Sequence, residues 1–359
     1  MPERRPRIIS PGGFCGPTGG TRYNQRVAAE WGVDVEYLPG RWPEPDPRDL
    51  EVLAALLHRP SDDAPILLDG LIGSAAGPVL TRRNHARGSR AAVAVHVHLP
   101  LPAETGLSAR RQDELRAAEQ MALRAADAVA CTSTWAAADL QRRYGLADAV
   151  VAEPGADVRP VAPGSHPPCL LTLASFSPRK NHHLLVEAMQ DPGLRRLEWS
   201  ALWMGAEPAP GAQDRLARAT SEASCAGRIT VAGAVTGAAL ERVWAGTDLL
   251  LLPSLAETYG MVVTEALAHG IPAIVGADTG AEDTLRAAAT AAGAEHAPPG
   301  DALNPRDPGA WAQALHAWLT DSEVRGRWRQ AALACRARLP DWAQTARRLH
   351  ELLEEAGPR

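Results

Sequence analysis

The 359-residue sequence has no apolar run of membrane-spanning length, and no apolar stretch follows Met1-Pro2-Glu3-Arg4-Arg5. Those absences lead us to expect a soluble, cytoplasmic chain with neither a signal peptide nor a transmembrane segment. Cysteine is sparse: Cys15, Cys131, Cys169, Cys225 and Cys335 are widely scattered and odd in number. No two lie close enough to begin a structural zinc site, so free thiols in a reducing compartment are expected. A large charge of one sign is missing as well. The net charge of −5 gives no bulk electrostatic reason to bind nucleic acid or an anionic bilayer. Lysine is scarce beside arginine and alanine is abundant, a mark of a GC-rich genome rather than of a chemistry. There is no internal repeat and no low-complexity tail. What remains is ordinary globular composition, 45% hydrophobic and 22% charged, in a chain long enough for two domains of roughly 150–200 residues.

Apolar strand patterns alternate with helical ones from end to end, the pattern of α/β domains with parallel sheets. Strands are expected at residues 6–10, 33–38, 65–70, 91–100 and 128–133, with helices at 21–31, 48–58 and 111–126. Residues 150–157 read as a strand leaving the first domain, and 160–168, rich in Pro, Gly and Ser, as a linker. A second domain then opens with a strand at 169–174 and a helix at 183–189. Strands at 200–205 and 228–233 and a helix at 238–245 continue the alternation. The expected boundaries are 1–160 and 167–339, with a returning helix in 340–359 whose apolar residues recur at helical spacing over 342–355.

The most informative stretch is Pro253-Ser254-Leu255-Ala256-Glu257-Thr258-Tyr259-Gly260-Met261-Val262-Val263-Thr264-Glu265-Ala266. An apolar strand at 248–253 gives way there to a helix at 262–269, stopped by Gly270-Ile271-Pro272. Glu257 falls in the loop and Glu265 about one turn inside the helix. Amides from Tyr259 to Val262 have no partner within the helix and lie at the positive end of its dipole, where a diphosphate is stabilised. The two carboxylates are then placed to accept hydrogen bonds from hydroxyls of the molecule carrying that diphosphate. Arg179 and Lys180, in Ser175-Phe176-Ser177-Pro178-Arg179-Lys180-Asn181-His182 after the first strand of the second domain, would offset its charge.

Other polar residues leave more than one reading open. Pro11-Gly12-Gly13-Phe14-Cys15-Gly16-Pro17-Thr18-Gly19-Gly20 lies between a strand and a helix. It fits neither the dinucleotide glycine pattern nor a P-loop, so phosphate contact and a bare tight turn both stand. Asp69 ends a strand on the side where open α/β sheets bind ligands, and is either an acceptor contact or a helix N-cap. Arg82, Arg83, Arg87 and Arg90 read as a solvated basic loop. His96 and His98 lie two apart on a strand and so share a sheet face; no further ligand is spaced to make them a metal pair.

The stretch from Glu257 to Glu265 resembles the Glu-x7-Glu signature of the family-4 retaining glycosyltransferases. The resemblance covers nearly the whole chain. It implies the GT-B fold: two Rossmann-like β/α/β domains facing each other across a cleft, with the C-terminal helix crossing back to the first. It places Glu257 on the donor sugar, Glu265 on the ribose and the Gly260, Met261 and Val262 amides on sugar and phosphate oxygens. Tyr259 stands where Phe is commoner. Gly19 and Gly20 match the family's Gly-Gly loop, also on the donor side. His98 would line the cleft near the reacting carbon, whereas His96 is expected in the core. Glu104, in Leu101-Pro102-Ala103-Glu104-Thr105-Gly106, is a candidate acceptor contact. A Gly-Arg pair common in the family is replaced by Ala174 and Ser175, leaving the guanidinium to Arg179. Pro299-Gly300-Asp301 reads as a family-like loop.

The implied activity is metal-independent, retaining transfer of a hexose-type sugar from a nucleotide-diphospho-sugar to an acceptor hydroxyl by front-face displacement. No cofactor is implied beyond the donor substrate; the acceptor is a small molecule, a glycan or a lipid-linked group. No Asp-x-Asp motif ends a strand. Alternatives on the same fold are a sugar-nucleotide epimerase and a disaccharide phosphorylase or synthase; a third is a non-catalytic subunit that binds a sugar nucleotide.

Overall fold

A computed structural model describes residues 5–13, 18–57, 64–85, 91–207, 209–223 and 227–357. The chain divides into two compact units, Met1–Gly155 with Pro340–Arg359, and Ala156–Leu339.

Unit 1 begins with β1 (Arg7–Pro11), α1 (Gly19–Trp31), β2 (Val35–Leu38), α2 (Pro47–Leu57), β3 (Ile66–Asp69), α3 (Gly70–Gly73) and α4 (Gly77–His85). It continues with β4 (Val93–Val97), α5 (Ala109–Ala125), β5 (Ala128–Cys131), α6 (Thr134–Tyr144) and β6 (Val150–Val151). The strands form one parallel sheet in the order β2-β1-β3-β4-β5-β6. β3 and β4 are buried along their whole length, as expected of parallel strands with both faces covered by helices.

Unit 2 contains β7 (Cys169–Leu173), α7 (His182–Ala188), β8 (Ser200–Gly205), α8 (Ala212–Glu222), β9 (Ile229–Gly233), α9 (Gly237–Ala245) and β10 (Leu249–Leu252). α10 (Met261–Ala268), β11 (Ala273–Gly276), α11 (Gly280–Ala291), β12 (Gly300–Leu303), α12 (Pro308–Thr320) and α13 (Ser322–Cys335) follow. Its sheet is also parallel, in the order β12-β11-β10-β7-β8-β9. The four leucines of β10 show why the strand sits in the middle. Leu249 and Leu251 pack into one core with Trp203 and Trp311, while Leu250 and Leu252 pack into the opposite one with Val263 and Val275. A last helix, α14 (Trp342–Glu355), packs on α1 of unit 1. Thr345 Oγ1 donates to the Glu153 carbonyl at 2.6 Å and Trp31 Nε1 to that of Ala346 at 3.0 Å.

Several segments differ from the sequence expectation. Arg82 and Arg83 lie on α4, not in a solvated loop, and the Arg83 side chain is buried. Its Nη1 donates to Asp127 at 2.8 Å and its Nη2 to the Ala91 carbonyl, so the charge is carried inside by partners. Arg87 and Arg90 lie outside the described residues. Residues 300–303 are not a loop but the edge strand β12, in register with β11. Residues 160–168 pack into unit 2: Ala162 is buried and its amide donates to the His269 carbonyl at 2.9 Å. Of 150–157 only Val150 and Val151 pair, against Ala130 and Cys131. Cys131, Cys169 and Cys335 are free thiols, and Cys15 and Cys225 lie outside the described residues. Among the described residues no helix is long and apolar enough to cross a membrane.

Candidate active site

In unit 2 the chain leaves β7 toward β8 and leaves β10 toward β11, on opposite sides of an adjacent strand pair. Loops that diverge from the carboxyl ends of such a pair open a crevice between them. The loop after β7 ends in a single tight turn, Pro178–Lys180, and the loop after β10 carries Glu257. Three contacts bind them together. The Leu255 amide donates to the Arg179 carbonyl at 2.8 Å. Arg179 Nη1 donates to the Ala256 carbonyl at 2.9 Å. Asn181, held in the left-handed region at φ 55°, donates from Nδ2 to the Pro253 carbonyl at 3.2 Å and the Pro305 carbonyl at 2.7 Å. Its short side chain tolerates that backbone and ties in a third loop, the one following β12.

Within this frame Arg179, Lys180 and Glu257 come together. Lys180 Nζ donates to Glu257 Oε1, and Arg179 Nη1 stands 3.7 Å from the same oxygen. Burial alone would raise the Glu257 pKa and is the largest influence on it, yet the two cations more than reverse it and hold the carboxyl below its ordinary value. The Glu257 carbonyl accepts from the Gly280 amide at 2.8 Å, which fixes the loop against the start of α11. Tyr259 is buried, and its carbonyl accepts from Thr284 Oγ1 at 2.6 Å.

Gly260 precedes α10 at φ 80°, and a Cβ there would stand 3.0 Å from the Ala281 Cβ, so glycine fits the turn on both counts. No side chain caps α10, leaving the amides of Met261 and Val262 at its start to other acceptors. Glu265 is partly buried farther along the same helix.

Unit 1 repeats the logic. β1 and β3 are neighbours whose chains leave to opposite sides of the sheet. Asp69, at the end of β3, is 3% exposed. Its Oδ1 accepts from the Leu71 amide at 2.9 Å, capping α3. Its Oδ2 accepts from Asn24 Nδ2 at 2.6 Å and from Ser10 Oγ at 3.3 Å, and lies 3.4 Å from His98 Nε2. His98 Nε2 also lies 3.3 Å from Asn24 Oδ1. Burial, the largest influence, opposes ionisation of Asp69, but the His98 contact and the other donors together hold its pKa below the ordinary value. Of the two readings left open for Asp69, the helix N-cap is the one seen, and its second oxygen faces His98.

His98 follows the last residue of β4 and its side chain is 19% exposed. His96, inside the strand, is fully buried with its ring 4.3 Å from that of His98. Gly19 and Gly20 begin α1 behind a capping box in which Thr18 and Thr21 each take the other's amide. A Cβ on Gly20 would sit 3.0 Å from His98 Cδ2, so the glycine lets the helix start against the imidazole. Glu104 bends back on its own turn, accepting from the Thr105 amide at 3.0 Å. That turn is anchored from below by Glu119, fully buried, which accepts from the Leu101 amide at 3.2 Å and from Ser74 Oγ at 2.6 Å. Ser10, Asn24, Glu119 and Asn181 went unnoticed in the sequence. Asn24, four residues after Gly20 and so on the same helix face, carried the clearest signal. Among the described residues no three His, Cys, Asp or Glu side chains are grouped to hold a metal ion.

Residues 157–334 match the family model described as Glycosyl transferases group 1. Most of unit 2 therefore matches this glycosyltransferase family. A D-inositol 3-phosphate glycosyltransferase of Corynebacterium glutamicum (strain R) is 27% identical over 264 residues, 67% of this chain and 60% of the relative. Its namesake from Nocardia farcinica is 29% identical over 255 residues, 65% of this chain and 53% of the relative. The matched stretch thus spans three fifths or less of the curated relatives' own length. Among solved structures, sucrose-phosphate synthase from Thermosynechococcus elongatus superposes with a TM-score of 0.77 at 20% identity, covering 98% of this chain and 99% of that one. Anabaena HepE, solved with UDP and glucose, gives 0.75 at 18% identity, with 98% and 99% covered. The fold is therefore GT-B, two parallel six-stranded units of Rossmann type.

Proposed function

We propose that the chain transfers a hexose from a nucleotide-diphospho-sugar to an acceptor hydroxyl with retention of configuration and without a divalent cation. The observation that carries this reading is the cluster in unit 2: two cations and a carboxylate fixed at a sheet switch point beside the uncapped start of α10. Arg179, Lys180 and the amides of Gly260, Met261 and Val262 take the diphosphate, and Glu265 accepts from the ribose. Positive charge aimed at a departing diphosphate stabilises the transition state more than the ground state, because the charge on the leaving oxygen grows as the bond breaks. Glu257 accepts from a sugar hydroxyl. In unit 1, Gly19 and Gly20 let the donor approach α1, and His98, held by Asp69 and Asn24, meets the sugar near its reacting carbon. Glu104 lies on the acceptor side. The acceptor is a small molecule, a glycan or a lipid-linked hydroxyl.

The test is thermal protection by UDP-, GDP-, ADP- and dTDP-sugars in the presence of EDTA, followed by turnover of whichever donor protects. A tightly bound donor raises the unfolding midpoint by mass action. Protection by none of the four, or turnover that requires magnesium or manganese, would overturn the reading.

A further inference from the structure

Arg179 and Lys180 are the cations assigned above to the diphosphate, and both already face the Glu257 carboxylate. The carboxylate is held by the two cations and its backbone is held as well. Its loop is held by the Gly280 amide on one side and by the Arg179 guanidinium on the Ala256 carbonyl on the other. Anything negative brought to the two cations therefore meets a fixed negative charge across them. Lys180 is also the only lysine in the sequence, a compact charge whose three rotatable donors can be divided between a carboxylate and a second anion. A planar guanidinium fork is less readily divided in this way.

We infer that Glu257 is a specificity determinant of charge as well as of sugar: it disfavours free nucleoside diphosphate relative to the sugar-bearing donor by competing for Lys180 and Arg179. The inference rests on the proposed function and deepens it. A free nucleoside diphosphate carries roughly one more negative charge at pH 7.5 than its sugar ester, because its terminal phosphate ionises a second time near pH 6. The donor loses less to this repulsion and gains the hydroxyl contact that the free diphosphate lacks. The product left after transfer is the more highly charged species, so the same carboxylate favours its departure.

The experiment is calorimetric titration of the full chain with UDP, GDP, ADP and dTDP and with the matching sugar nucleotides, in the unmodified protein and in Glu257→Gln. Glutamine keeps the shape and removes the charge. The expected result is that the preferred free diphosphate binds about tenfold tighter to the variant, the size of effect that one nearby like charge has on an equilibrium, while the sugar nucleotide binds no tighter. In a Lys180→Gln background the same change should give a gain of less than about threefold. Should Glu257→Gln not fold, Glu257→Ala, which also removes the charge, is read in the same way for the free diphosphate. Unchanged or weaker diphosphate binding in the charge-altered variant overturns the inference, and so does a gain as large in the Lys180→Gln background. Binding of none of the four diphosphates to either protein overturns the proposed function, and the inference with it.

Discussion

Glu265 and His98 carry assignments that a single substitution decides. Glu265→Ala should weaken nucleoside diphosphate binding by on the order of 1–3 kcal/mol, the cost of leaving a ribose hydroxyl unpaired. Titration showing unchanged affinity removes Glu265 from the ribose. His98→Ala should lower turnover far more than it lowers the unfolding midpoint, because the ring ends a hydrogen-bonded chain rather than filling a core. His96→Ala should do the reverse, opening a cavity at a fully buried position. Turnover and midpoint measured on the same two preparations settle both, and a stable His98→Ala enzyme of undiminished rate sinks the first. Periodicity alone places these histidines on one face of a strand; His96 was nonetheless expected to be the enclosed one, and it is buried. The difference lies in where β4 stops: it ends at Val97, so His98 escapes the packing that encloses His96. Asn24 and Ser10 were hidden for a related reason, since neither is chemically distinctive until the sheet order brings β1 beside β3.

At the scale of elements, β10, its loop and α10 were legible because four leucines in a row, a turn and a glycine before a helix leave few alternatives. α4 was not. Four arginines between residues 82 and 90 read as solvated because burial of Arg83 depends on Asp127, 44 residues away. β12 was missed because Gly300 and Asp301 are poor strand formers, and only pairing with β11 makes them one. The start of α10 offers a direct test. Gly260 and Gly293 both have positive φ, 80° and 67°, but a Cβ on Gly260 meets Ala281 at 3.0 Å whereas one on Gly293 meets nothing within 4 Å. Gly293→Ala should therefore cost only the backbone term of about 1–2 kcal/mol. Gly260→Ala should cost more and should also weaken diphosphate binding, as the turn that presents the Met261 and Val262 amides is displaced. Equal midpoints for the two variants would show that α10 and α11 yield to the added methyl.

For the whole molecule, acid is the informative stress. Burial holds His96 well below its ordinary value, His182 down at about 3, and His269 lowered as well. For His182 burial is the largest cause, with the Lys180 and His183 charges adding to it. A histidine neutral in the fold but protonated near 6.5 when unfolded gives the unfolded chain more bound protons, so its stability is full above pH 6.5 and lost as pH falls toward the folded value. Lowered carboxyls at Asp69 and Glu257 extend the loss below about pH 4. Glu119 acts with the opposite sign. Burial raises it, so its contribution is full below its ordinary value and declines as pH rises through the folded one. With three histidines against one glutamate, the unfolding midpoint should drop between pH 7.5 and pH 5. His182 alone accounts for on the order of 2 kcal/mol at pH 5, given an unfolded value of 6.5 and a folded value of about 3. His182 packs between the rings of Phe176 and Trp203 with Nε2 unpaired, so His182→Leu keeps an apolar neighbour there and removes the titration. Its midpoint should depend on pH visibly less than that of the unmodified chain; equal slopes in the two proteins would place the acid sensitivity elsewhere.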